Sequence, residues 1–283
     1  MKKKAEGNVS ASQGRGGRAA IKIAINIETL YPDKTVEEKI ERVSRAGFTA
    51  IEFWRWDNKD IDSLRDACRK HGVKVQAFGG TGDYSLCDRF HRSECLEHIR
   101  RSIEVAEKLD CSNLILFPNH FTAAGCADFT RRDSHTSGVA SITAALCEMV
   151  PVLEEHGITA LLEPLCNVGA DSGMTVTDTA EGADIVRAVG CEHVRLLCDV
   201  YHMQVMHGNL QQNILSNVDI VPYIHIADAP DRHEPGTGEI NFDYLMKAVK
   251  TGGFTGTVCF EYFPSGETES SFPAVQGLLE LLK

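Results

Sequence analysis

The ten cysteines of this 283-residue chain include no C-x-x-C pair, which removes the usual zinc and dithiol spacings and any sign of a disulfide framework. They read as small buried hydrophobes in a reducing cytoplasm. No apolar run approaches the ~20 residues that a membrane helix needs. The chain opens on MKKK, but no apolar h-region follows, so a secretory signal is not expected. H-E-x-x-H and G-x-S-x-G are both missing, and the GTG at 236–238 lacks the lysine of a phosphate loop. Positive charge is scarce, with 29 Lys and Arg against 40 Asp and Glu and a net charge of −11. Residues 1–20 carry five basic groups and only Glu6 as an acid, so the remaining 263 residues carry −15. A body that acidic repels phosphate backbones and argues against nucleic acid as a partner. Residues 1–20 are expected to be a disordered basic leader, or an expression remnant, ahead of one domain spanning 21–283.

What is present is a recurring unit. Short apolar runs lie at 21–27, 49–54, 73–78, 113–117, 158–163, 194–199, 221–227 and 256–261, rich in Val, Ile, Leu and Phe as strands buried on both faces should be. Between them, helix-period segments at 35–46, 60–71, 92–109, 138–156, 178–189 and 241–251 start at caps such as Thr35, Asp60, Asp178 and Asn241, or end at glycine. Eight runs over 263 residues give a spacing of about 33, close to the unit of a (β/α)8 barrel. The fold class is therefore α/β, a single-domain TIM barrel, with an open doubly wound sheet as the alternative. The one long interruption, 118–137, reads as a loop over the catalytic mouth.

The last four runs each end on a polar group able to bind metal: Glu163, Asp199, His225 and Glu261, spaced 36, 26 and 36 residues apart. In a barrel these strand ends converge on one mouth. Three carboxylates so close would repel unless a cation sat between them. Oxygen ligands with one imidazole suit Mn²⁺ or Mg²⁺, with Co²⁺ or Zn²⁺ as alternatives. Three neighbours in sequence join them as candidates for holding a substrate: His202, three residues after Asp199; Arg232, in the Pro- and Gly-rich loop after His225; and Asn167, four after Glu163. Glu52, Trp54 and Trp56 in IEFWRW read as core, or as an aromatic wall beside a ligand. Histidines 91, 98 and 193 read as surface groups.

The stretches LLEPLCN, CDVYHMQVMHGNL, PDRHEPGTGEINFDYL and GTVCFEYFPSGET, supported by AGFTAIEFW, resemble the xylose-isomerase-like barrels and, within them, the hydroxypyruvate isomerase family. The resemblance covers nearly all of 21–283. It implies that Glu163, Asp199, the residue at 225 and Glu261 bind one divalent metal. It also implies that Glu163 and Glu261 act as acid/base groups and that His202 and Arg232 hold substrate oxygens. Hydroxypyruvate isomerases tend to carry glutamine where this chain has His225, and histidine there is the habit of ketose 3-epimerases. The expected activity is isomerisation of a small hydroxy-carbonyl compound, hydroxypyruvate to 2-hydroxy-3-oxopropanoate leading, by glutamate-mediated proton transfer through an enediolate. Epimerisation of a free ketose at C3 is the alternative. A phosphodiester-cleaving relative and a non-catalytic barrel are the more distant ones. Pairing with a second copy of the chain is expected by resemblance alone.

Overall fold

In a computed structural model, residues 20–120, 134–167 and 173–282 are described; most of the leader and of the loop expected to cover the mouth lies outside them. Eight parallel strands close on themselves in sequence order: β1 Lys22–Asn26, β2 Ala50–Phe53, β3 Lys74–Gly79, β4 Asn113–Leu116, β5 Thr159–Leu162, β6 Val194–Asp199, β7 Tyr223–Ile226 and β8 Thr257–Phe260. Every apolar run became a strand, and β1 pairs with both β2 and β8, so the sheet has no edge. The open-sheet alternative is thereby excluded.

The helices outside the strands are α1 Val36–Arg45, α2 Ile61–His71, α3 Arg92–Lys108, α4 His135–His156, α5 Thr179–Val189, α6 Val200–Met206, α7 Leu210–Leu215, α8 Phe242–Thr251 and α9 Thr268–Leu282. Six answer to the segments read from periodicity; α6, α7 and α9 are additional. Their ends follow from local chemistry. Thr35 and Glu38 form a reciprocal capping box at the start of α1, each side chain accepting the other's backbone N–H. Helices α2, α4 and α5 stop at Gly72, Gly157 and Gly190, whose left-handed backbone an L side chain resists. Helix α4, at 22 residues, is long and apolar enough to cross a membrane, contrary to the sequence reading. Its Ile142, Leu146, Met149 and Leu153 instead pack into the barrel's outer core.

Strand parity sets the two layers. One parity, including Ile25, Ile51, Leu162, Leu196, Ile224 and Val258, faces the helices in the main core. The other parity points into the barrel, where Ala24, Ala50, Ala77, Ile115, Leu161, Leu197, Tyr223 and Cys259 form an inner plug. Three alanines on β1–β3 leave room for the Tyr223 ring, one of the largest fully buried side chains. One step further along the same parity, towards the C-terminal ends, the inward residues turn polar: Asn26, Glu52, Glu163, Asp199, His225 and Glu261. All six are buried. The nine described cysteines are free thiols, seven of them buried, with Cys147 exposed.

Candidate metal and substrate site

The polar layer sits at the C-terminal mouth, the end where barrels of this class carry their chemistry. A cavity of about 350 Å³ lined by Lys22, Gln76, Asn113, Arg195 and Tyr223 lies at the opposite end and contains none of these groups. Glu163, Asp199, His225 and Glu261 each offer a ligand atom within 4.8 Å of the others. The parallel register explains the convergence: Asp199 lies opposite His225 on adjacent strands, His225 opposite Cys259, and Glu163 and Glu261 extend β5 and β8 by one residue.

Asp199 has two tasks. Its Oδ1 caps α6, accepting the N–H groups of Tyr201 at 2.7 Å and His202 at 3.1 Å. That leaves Oδ2 facing the site and sets His202 in the first turn beside it, Nε2 lying 3.6 Å from Oδ2. Arg232 donates from Nη2 to Glu261 Oε2 at 2.6 Å and Asp199 Oδ2 at 3.1 Å, and from Nη1 to His202 Nε2 at 2.9 Å. His202 Nε2 lies towards Arg232, and its Nδ1 faces Cys166, 3.2 Å from the backbone N–H and 3.0 Å from Sγ, so donors stand at both ring nitrogens. Burial holds this ring neutral, pushing its pKa down to about 4.

The two glutamates are unlike. Burial pushes Glu163 up to about 7, against the pull of His225. Burial also opposes ionisation of Glu261, but there the charges of His225 and Arg232 and the donated bonds outweigh it, holding the carboxyl well below its ordinary range. Oε1 of Glu261 receives the Trp54 indole N–H at 2.5 Å and the Asn26 amide at 3.1 Å. One carboxyl is thus fixed ionised while its neighbour is poised to gain or lose a proton near neutrality.

His225 carries the observation that tests the fit of a metal. Its Nδ1 is buried and makes no hydrogen bond, yet it stands 3.1 Å from Glu261 Oε2, 3.3 Å from Glu163 Oε1 and 3.8 Å from Asp199 Oδ2. Three oxygens around one imidazole nitrogen form a donor set that fits a divalent cation.

Of the seven sequence candidates the structure gathers six. Asn167 stands apart: it is exposed, and its side-chain oxygen accepts the Met174 N–H at 2.7 Å within its own loop. Three readings need correction. Glu52, taken by default as core packing, is a buried carboxylate bonded to His225 and Asn26. Trp54 lies at the rim, edge-on to Phe263, with its N–H on Glu261, whereas Trp56 is core. His98 is buried, stacked on Trp56 and tilted against Tyr84, while His91 is exposed as expected. Asn26 and Asp228 escaped the sequence reading altogether. Asp228 gathers the backbone N–H groups of Ala229, Gly236, Gly238 and Ile240, folding the loop that carries Arg232 around one carboxylate. The GTG segment thus wraps an internal anion. Gly238 is required there, because a Cβ would lie 1.9 Å from the Ala229 oxygen.

A closed eight-stranded barrel with a carboxylate–imidazole cluster at its C-terminal mouth, able to hold a metal, defines the class of protein. The chain belongs to the xylose isomerase-like TIM barrel family, which it matches over residues 40–282. Hydroxypyruvate isomerase from Escherichia coli K12 is 26% identical over 257 residues, spanning 88% of this chain and 96% of the relative. The 2-oxo-tetronate isomerase of Haemophilus influenzae is 27% identical over 258 residues, spanning 87% and 95%. Among solved structures, a Brucella melitensis protein described as AP endonuclease, family 2, superposes with a TM-score of 0.82 at 25% identity, covering 91% of this chain and 98% of that one. D-psicose 3-epimerase from Clostridium cellulolyticum H10 reaches 0.74 at 19% identity, over 93% and 94%, a likeness of fold. The chain is an enzyme, an isomerase homologue.

Proposed function

We propose that this enzyme is a metal-dependent intramolecular isomerase that interconverts a small 2-keto acid and its aldehyde isomer, hydroxypyruvate and 2-hydroxy-3-oxopropanoate being the leading pair. The observation that carries the reading is the unlike glutamate pair on either side of the buried His225 Nδ1 that faces both, under the Arg232 guanidinium. Glu163, Asp199, His225 and Glu261 would hold one Mn²⁺ or Mg²⁺, with Co²⁺ or Zn²⁺ as substitutes. When bound, such an ion supplies Lewis-acid polarisation of the carbonyl and a template for its neighbouring oxygens.

The chain's own groups do the rest. One glutamate takes a proton from the hydroxymethyl carbon, giving an enediolate; the hydroxyl proton passes from that carbon's oxygen to the former carbonyl oxygen, and a proton returned to the former carbonyl carbon completes the isomerisation. Glu163, which lacks the bonds that Trp54, Asn26 and Arg232 give Glu261, suits the group that both accepts and gives back a proton, and Glu261 stays ionised on the other side. Arg232 would pair with the substrate carboxylate, a charge-assisted contact that a neutral ketose lacks. His202, neutral and already sharing Nε2 with Arg232, would stand by the same oxygens. A small hydroxy-carbonyl molecule is the partner in this reading, with a homo-oligomer as the working assembly; neither nucleic acid nor membrane has a part.

His225 favours one second reading, C3 epimerisation of a free ketose with the same metal and glutamates. Solvent-deuterium NMR on a metal-loaded preparation, offered hydroxypyruvate, fructose, tagatose and psicose in turn, separates the two. We expect label at the reacting carbon of the keto acid, and a loss of ~10²–10⁴ in turnover for Glu163→Gln or Glu261→Gln with the fold kept. Product from the ketoses alone would reverse the substrate assignment. Near-wild-type turnover in both variants would remove the glutamates from the mechanism.

A further inference from the structure

One carboxylate of the polar layer has no part in that mechanism. Glu52 points from β2 into the barrel, fully buried, with Oε2 3.0 Å from His225 Nε2. Its Oε1 accepts the Asn26 amide at 2.8 Å, and the same amide reaches Glu261 Oε1 at 3.1 Å. Asn26 and Glu52 lie directly opposite each other on β1 and β2, so the backbone register fixes this pair.

We infer that Glu52 is the positioning residue of His225: it accepts the hydrogen bond donated by the ring's Nε2–H and thereby turns Nδ1 towards Glu163, Asp199 and Glu261 as a metal ligand. A carboxylate can only accept, so a ring that binds a cation through Nδ1 keeps its one proton on Nε2, towards Glu52. His225 Nδ1 is one of the buried atoms without a hydrogen bond, and three carboxylate oxygens face it at 3.1, 3.3 and 3.8 Å, the side from which a cation would be held. A metal-bound histidine whose other nitrogen donates to a carboxylate is held in tautomer and orientation, and is made more basic. Asn26 ties the positioning carboxylate to Glu261, so orienting the imidazole and orienting the ionised glutamate are one hydrogen-bonded unit.

A competing geometry exists below the ring. Glu52, His225 and Cys259 also offer three atoms within 4.8 Å of one another, which would make Nε2 the ligating atom and Glu52 a ligand. All three are sealed in the barrel interior, and burial keeps the Cys259 thiol well above its ordinary pKa, which disfavours the thiolate such a site requires.

The inference rests on the metal reading proposed above, and its test separates the two. Mn²⁺ affinity is measured by electron paramagnetic resonance on the full chain, wild type against Glu52→Ala and Glu52→Gln. Alanine should weaken binding by about 10- to 100-fold. Glutamine should cost less, since its amide oxygen still accepts the N–H. Histidine-labelled ¹⁵N spectra of the Zn²⁺-loaded wild type should show a protonated Nε2 and a metal-shifted Nδ1. Circular dichroism and melting in chelator check that the variants fold; if Glu52→Ala does not, Glu52→Gln and the wild-type tautomer still decide. Wild-type affinity in both variants, an Nδ1-protonated ring, or a thiolate-to-cobalt charge-transfer band in the Co²⁺ enzyme would overturn the role of Glu52. A wild type that binds no Mn²⁺ would instead overturn the metal reading and the inference with it.

Discussion

Replacing Asp228 with asparagine should loosen the arm that carries Arg232. The side chain is 1% exposed and takes two N–H groups on each oxygen: Ala229 at 2.9 Å and Ile240 at 3.1 Å on Oδ1, Gly236 at 2.8 Å and Gly238 at 2.9 Å on Oδ2. Asparagine has the same shape but one acceptor. Whichever way it is placed, its NH₂ faces two backbone donors, and two bonds to a charged group are lost at ~1.5–3 kcal/mol each. We take ~3 kcal/mol as the expected cost, because part of the loop can rehydrate. At about 2–4 °C per kcal/mol for a chain near this size, that lowers Tm by ~6–12 °C. Arg232 follows four residues on, in the left-handed region at φ 58°, a backbone that an arginine keeps only when its surroundings impose it. Its imposed geometry includes the carbonyl bonded to Phe263 N–H at 2.8 Å. The variant should therefore also raise KM for a keto acid, and the amides of Gly236, Gly238 and Ile240 should exchange faster with solvent. Unchanged melting together with unchanged exchange at those three amides would refute the reasoning.

The buried neutral His202 makes a pH prediction. Its pKa is about 4 folded against ~6.5 unfolded, so the unfolded ring binds the extra proton and acid favours unfolding. Stability should fall by up to ~3 kcal/mol as pH drops from about 6.5 to 4, and His202→Asn should flatten that slope. Glu163 works in the opposite sense: burial raises its pKa from 4.5 to about 7, so its contribution is full below 4.5 and is lost as pH rises to about 7. The wild-type-minus-variant difference in urea midpoint against pH is thus the measurement, and a difference constant between pH 4 and 6.5 would contradict it. Metal loading should stabilise the chain by ~2.7 kcal/mol at a hundredfold excess over Kd, reversed by chelator. Identical melting curves in Mn²⁺ and in EDTA would count against a metal at the four-residue cluster.

Much of the site was legible in the chain because its signals are local. Strand runs, caps and terminating glycines depend on neighbours within one turn or one pleat, and eight such units at a spacing of about 33 leave few ways to bury themselves. Glu163, Asp199, His225 and Glu261 stood out because each ends an apolar run, and a barrel must bring strand ends together. Glu52 gave no such signal. A strand buried on both faces shows no alternation, so nothing in AIEF tells which parity faces the helices and which the barrel axis. His98 was misjudged for a related reason, since burial against Trp56 is a contact made across 42 residues of chain.

The sequence by itself therefore determined the barrel, its single domain and the residues at the ends of four strands, because short-range patterning dictates all of these. Only the tertiary structure decided how those residues differ from one another. Glu163 sits near neutrality while Glu261 is held ionised, because Trp54, Asn26 and Arg232 approach Glu261 from three other elements. His225 faces the acids through Nδ1 because Glu52 waits on its other side. Charge and hydrogen bonding act through space over a few ångströms, and distance along the chain carries no record of them until the sheet has closed.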